Sequence, residues 1–165
     1  MRRFSLPVLT VLFLMCVPVP RNVVAWAFVT LTGGWEASIG SELMTGGAGS
    51  DLAPTIESAA DAVRLETESS SDWRMDVSRI MGDWPAELVL SVRASSARAL
   101  GPGSASAVST YRAVTAEPFM IASGTYRAGP RARARIELQY LVEGIAASMG
   151  AGTRTTTIVY TITDS

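Results

Sequence analysis

The segment "RARARIELQYLVEG", residues 131–144, constrains this chain more than any other. Ala132, Ala134, Ile136, Leu138, Tyr140 and Val142 share one parity, while Arg131, Arg133, Arg135, Glu137, Gln139 and Glu143 take the other; Leu141 alone breaks the rule. A helix would scatter both sets around its circumference. In an extended strand successive side chains point to opposite faces, so this order gives one dry face and one wet face. The spacing predicts a long, half-buried antiparallel strand. Its arginines then read as solvated face residues, which would also discourage edge-to-edge pairing if the strand lay at a sheet edge.

The same period recurs along the chain, punctuated by Gly, Ser, Pro and Asp. "WEASI" alternates through Trp35, Ala37 and Ile39, and "AVRLETE" sets Val63 and Leu65 against Arg64, Glu66 and Glu68. "WRMDVSR" directs Trp73, Met75 and Val77 inward, and "ELVLSVR" does so with Leu88, Leu90 and Val92. "TYRAVT" and "FMIAS" read as shorter strands after a Gly/Ser/Ala-rich connection at 94–109. In "TTTIVYTIT", Ile158, Tyr160 and Ile162 share a face opposite threonines. Residues 53–65 read as a loop leading into a strand rather than as a helix. Between about seven and nine such strands predict an all-β antiparallel sandwich, immunoglobulin-like or jelly-roll-like.

The N-terminus has a different composition. Arg2 and Arg3 precede an uncharged apolar stretch at 6–17, and Ala25-Trp26-Ala27 offers small residues where a signal peptidase reads. This three-part order predicts a secretory signal helix over 1–27, cleaved before Phe28, followed by a single domain over 28–165. The stretch is shorter than the roughly 20 residues that span a bilayer; retention as an anchor is the rival reading. The expected location is therefore the periplasm, the cell surface or the exterior. The only cysteine, Cys16, lies in the leader, so the exported part would hold together by packing and sheet hydrogen bonds.

Composition narrows the chemistry. All 14 basic residues are arginine, and the chain contains neither lysine nor histidine. Removing a leader that holds three of them leaves eleven arginines against all 15 acids, a net charge of −4. Such a chain is poorly matched to a phosphate backbone, so nucleic acid is not an expected partner. Ser-His-Asp, Cys-His and Ser-Lys nucleophile pairs lack their members, as do Cys/His zinc sites. "TGGAGSD" at 45–51 lacks the lysine of a phosphate loop and reads as a turn. Asp51, Asp72 and Asp83 are the loop acids from which a paired-carboxylate hydrolase would have to be built, the remotest of the functional readings. Asp72 and Asp76 do not have the spacing of a calcium loop. The expectation is no catalysis, no cofactor and no metal.

Two features point instead to binding or building. Trp84, in the turn "GDWPAE", is a candidate sugar-stacking platform that Tyr111 and Tyr126 would extend, against the ordinary reading of Trp84 as a packing staple. "FVTLTGGWEASI" places Phe28, Val29 and Leu31 in an apolar, β-prone segment before Gly33-Gly34. Such a segment suits a strand that completes a neighbouring subunit's sheet, or else the first strand of its own. Finally, "RIELQYLVEG" and the closing "TTTIVYTITDS" resemble the C-terminal strands of secreted fimbrial and spore-coat-U-type β-sandwich subunits. The likeness covers about the last thirty residues and implies a non-catalytic subunit of a fibre or coat. This chain lacks the cysteine pair that ties many of those sandwiches. The expected partners are further copies, another envelope protein or a glycan, with the membrane met only through the leader.

Overall fold

In a computed structural model of the chain, the described residues are 8–10, 26–38, 53–80, 84–127, 129, 131–146, 149 and 153–164. They contain no α-helix. Eleven strands follow in order: β1 (Val8–Thr10), β2 (Ala27–Gly33), β3 (Thr55–Glu57), β4 (Val63–Ser69), β5 (Trp73–Ile80), β6 (Val89–Ala99), β7 (Gly103–Ala107), β8 (Arg112–Ala113), β9 (Phe119–Tyr126), β10 (Ala132–Glu143) and β11 (Thr156–Asp164). One sheet runs β1-β11-β5-β9-β7 and the other β2-β4-β10-β6-β8, with β3 continuing along β10 beyond the end of β4. All pairings are antiparallel except β1 with β11. The chain is thus an all-β sandwich, with two more strands than the upper end of the expected range.

The alternating residues decide which faces meet. All six residues of the dry parity on β10 are buried, as are Val63 and Leu65 on β4, Trp73, Met75 and Val77 on β5, and Ile158, Tyr160 and Ile162 on β11. They form one core cluster that draws on both sheets. A core aromatic such as Trp73 removes about 200 Å² from water, which contributes about 5 kcal/mol before ordering entropy is charged against it. Trp73 lies across Gly124, its cross-strand partner: a Cβ there would stand 2.4 Å from the indole. The glycine is the socket for the ring.

Polar groups inside this core are handled by pairing. Tyr140 of β10 and Tyr160 of β11 reach across the gap between sheets and join hydroxyl to hydroxyl. Trp35 stacks on Tyr140 with centroids 6.0 Å apart. Gln139, expected on the wet face, is buried because its amide donates to the Ser58 carbonyl while its oxygen accepts from Arg93. Gln139 keeps its outward parity, opposite Arg93 in the register, and is buried there with its polar groups paired.

Several expectations are corrected. β10 is central, between β4 and β6, so its arginines protect no edge; they face glutamates instead. "WEASI" is not a strand over its described residues 35–38, where Trp35 stacks on Tyr140; Ile39 lies outside the described residues. The supposed connection at 94–109 carries most of β6 and all of β7. Its alanines and serines lack the β-branched signal, yet here the chain passes from β6 in one sheet to β7 in the other. Ser95 is an extra residue between the partners of Glu137 and Leu138. This bulge reverses parity, so Ala97 and Ala99 turn inward after Leu90, Val92 and Ala94 have done the same. Of "TYRAVT" only Arg112–Ala113 is a strand. The signal helix expected over 1–27 falls outside the described residues except at Val8–Thr10, which are extended, and at Trp26 and Ala27, of which Ala27 opens β2.

Two stability outcomes follow from this packing. Gly124→Ala should cost about 1–3 kcal/mol, because the methyl must displace Trp73; urea denaturation with m unchanged checks it. Tyr140→Phe should cost about 1–3 kcal/mol by leaving the Tyr160 hydroxyl dry and unpaired. In the double Phe variant the two losses should be far from additive, which a double-mutant cycle measures.

Candidate functional site

The three aromatics expected to form one platform do not converge. Trp84 is half-buried against the core; its indole N–H donates to the Leu88 carbonyl at 2.7 Å, and the Arg79 guanidinium lies 5.7 Å from its ring. It staples the β5–β6 connection. Tyr126 ends β9, its hydroxyl donates to the Gly129 carbonyl, and its own N–H donates to Asp72 at 2.6 Å. The β5–β9 register sets Val77 level with Phe119 and Trp73 level with Gly124. Tyr126 therefore sits near the Trp73 end of β5, while Trp84 follows the other end, a strand length of about 20 Å away. Tyr111 joins neither.

Tyr111, just before β8, belongs to a surface cluster with Glu57 of β3 and Arg93 of β6. Its hydroxyl donates to the Glu57 carboxylate, Arg93 covers its ring at 4.7 Å, and Arg93 also stands 3.7 Å from Glu57. Burial and the neighbouring Glu57 push the Tyr111 phenol up to about 12, with Arg93 opposing. The neutral phenol is thus favoured in the fold, whereas an unfolded chain ionises it near 10. Its contribution should be fully present below pH 10 and lost as pH rises from 10 towards 12. Phenolate absorbance should show a late-titrating tyrosine that moves to lower pH in Glu57→Gln.

The segment of Phe28, Val29 and Leu31 is the first strand of its own sheet and also that sheet's edge. Trp26 and Ser70 are joined by a backbone bond, Ser70 N–H to Trp26 carbonyl at 3.1 Å, and Gly34 N–H donates to the Ala62 carbonyl at 3.0 Å. Hydrogen-bonded pairs alternate along an antiparallel ladder. The even residues of β2 therefore bond to β4, and the N–H and C=O groups of Ala27, Val29, Leu31 and Gly33 point away from it. No described strand pairs with that side. Val29 is buried, Leu31 half-buried, and Phe28 remains 40% exposed. Gly33 closes the strand at φ 98°, where a Cβ would meet the Ala62 carbonyl oxygen at 2.5 Å.

Outside the core, the six-stranded sheet presents ordered rows. The registers place Phe28, Glu68 and Arg133 in one row and Thr30, Glu66, Arg135 and Arg98 in the next. Arg135 holds Glu66 at 2.7 Å, and Arg131 and Arg133 share Glu68 at 3.1 and 3.5 Å. Trp26 stacks on Phe28 with centroids 5.4 Å apart and planes 14° from parallel, and the Arg131 guanidinium lies 5.4 Å from the Trp26 ring. Trp26 lies within the segment expected to be the leader, and the aromatic–x–aromatic spacing of Trp26 and Phe28 is the cluster's trace in the sequence.

Of the loop acids, Asp72 accepts the Tyr126 N–H, and Asp51 and Asp83 lie outside the described residues. Among the described residues no three His, Cys, Asp or Glu side chains are grouped to hold a metal ion. No helix among them is long and apolar enough to cross a membrane. The chain matches no family model, no curated protein and no solved structure.

Proposed function

We propose that the chain is an exported, non-catalytic structural subunit of a surface layer, fibre or coat, and that it joins its neighbours by strand addition at β2. The observation that carries this reading is the β2 edge: seven residues, AFVTLTG, without a charge or a proline. Edge strands in soluble proteins are ordinarily blunted by such residues or by bulges. Here main-chain donors and acceptors of alternate residues lie open over the whole strand, at a repeat of about 6.8 Å that another extended segment matches. The β2 segment thus serves as the receiving edge, since Val29 and Leu31 are committed to its own core.

Sandwich rigidity supports the same reading. A subunit that transmits load through a sheet edge needs the edge strand anchored, and β2 is held by β4 along its whole length. The other edge of this sheet is the two-residue β8, too short to accept more than a bond or two.

Size-exclusion chromatography with light scattering on the purified chain should show concentration-dependent oligomers, and unboiled gels a ladder. Leu31→Pro removes an outward N–H without touching the β2–β4 ladder, and Thr30→Lys with Thr32→Lys charges the exposed side of the strand. Both variants should run as monomers with near-UV dichroism retained. Oligomers that persist in both, or a wild-type chain that is monomeric at every concentration, would reject self-assembly at this edge.

A further inference from the structure

The Trp26/Phe28 end of the outer face has a charge imbalance that the fold does not use. Four arginines, Arg98, Arg131, Arg133 and Arg135, meet two glutamates there, Glu66 and Glu68. Arg98 stands directly opposite Arg135 in the β6–β10 register, and its side chain makes no hydrogen bond or ion pair among the described residues. Like charges placed opposite one another on a sheet destabilise it. Arg131 and Arg133 divide one carboxylate and leave their side chains 52% and 53% exposed. Two cationic equivalents are therefore unmatched, on a sheet surface beside a stacked aromatic pair.

We infer that this surface, formed by Phe28, Arg98, Arg131 and Arg133, binds an acidic polysaccharide through its uronate carboxylates. The guanidinium fork pairs bidentately with a carboxylate, and the apolar face of a pyranose ring stacks on an exposed aromatic ring. From Phe28 on β2 to Arg98 on β6 there are three strand spacings, about 14 Å, a span suited to a few sugar units laid across the strands. Charge complementarity selects this occupant over a nucleic acid. Two surplus cations suit a chain with a carboxylate on every sugar or every second sugar. They do not suit the dense phosphate of DNA on a protein whose net charge is −1. The site differs from the Trp84, Tyr111 and Tyr126 positions and does not depend on assembly at β2.

Affinity electrophoresis of the full chain tests it, using gels that contain polygalacturonate, neutral dextran, dextran sulfate or duplex DNA. Polygalacturonate should retard the chain and dextran should not. Arg98→Gln with Arg133→Gln should weaken retention at least tenfold, and Phe28→Ala several-fold, with melting temperatures close to wild type because all three side chains are exposed. Retention should fall with added salt. Three results would overturn the inference: no retardation by polygalacturonate, equal retardation of the double arginine variant, or stronger retention by DNA. Equal retention by dextran sulfate would overturn the assignment to carboxylates. Measuring oligomers of the same arginine variant separates this site from the β2 edge, since its assembly should be unchanged.

Discussion

The sandwich rests on the contact made by β10 with the sheet opposite. This strand lies at the middle of its sheet, all six of its dry-parity side chains are buried, and one of them, Tyr140, reaches Tyr160 across the interior. Period-two alternation makes this possible, because a sheet must hide a whole face at once. A one-residue slip of β10 would turn Arg133 and Arg135 into the core and Ile136 and Leu138 into water. The register is consequently held by the full burial energy of the strand. The paired tyrosines add direction to that burial. Burial pushes both phenols above their ordinary range, so the neutral, hydrogen-bonded form is the one the interior keeps.

That central strand also organises the exterior. Because β10 carries arginines outward and β4 carries glutamates at matching registers, the wet face becomes a cross-strand ladder rather than a basic run. Exposed pairs of this kind contribute little each, about 0–1 kcal/mol. Their larger effect is on specificity, since a shifted register would set arginine against arginine. The ladder is incomplete at Arg98, and there the face gains the surplus charge from which a ligand site was inferred. Structural and functional readings of the arginines thus meet at one position.

Sequence pattern was most readable where one face is buried by β-branched or aromatic residues. Strands β4, β5, β10 and β11 announce themselves in this way, and their inward residues are the ones expected. It was least readable where other demands override alternation. β7, "GSASA", has no hydrophobic contrast to detect, and Ser95 reverses parity through a bulge that no single residue type signals. Trp35 alternates with apolar neighbours yet is anchored through ring stacking on Tyr140. Gln139 keeps the outward parity beside Arg93 yet is buried, because its amide is held under the Ser58 carbonyl. The candidate site was harder still. Trp26 gives no sign in the sequence of its pairing with Ser70 and Phe28, whereas Trp84 takes the staple role that was its ordinary reading, with its N–H on Leu88.

Local order along the chain was enough to determine that it is all-β and which residues of its clearest strands are dry, because side-chain direction in an extended backbone depends only on neighbours in sequence. The absence of lysine, histidine and a cysteine outside the first 27 residues likewise limited its chemistry without reference to any fold. Tertiary structure alone decided who pairs with whom: that β10 is central, that β2 forms an open edge, and that Arg98 faces Arg135. Strand partners here lie as far apart in sequence as Val8 and Thr156, and their choice is made by the total area two sheets bury together. No local pattern encodes that sum.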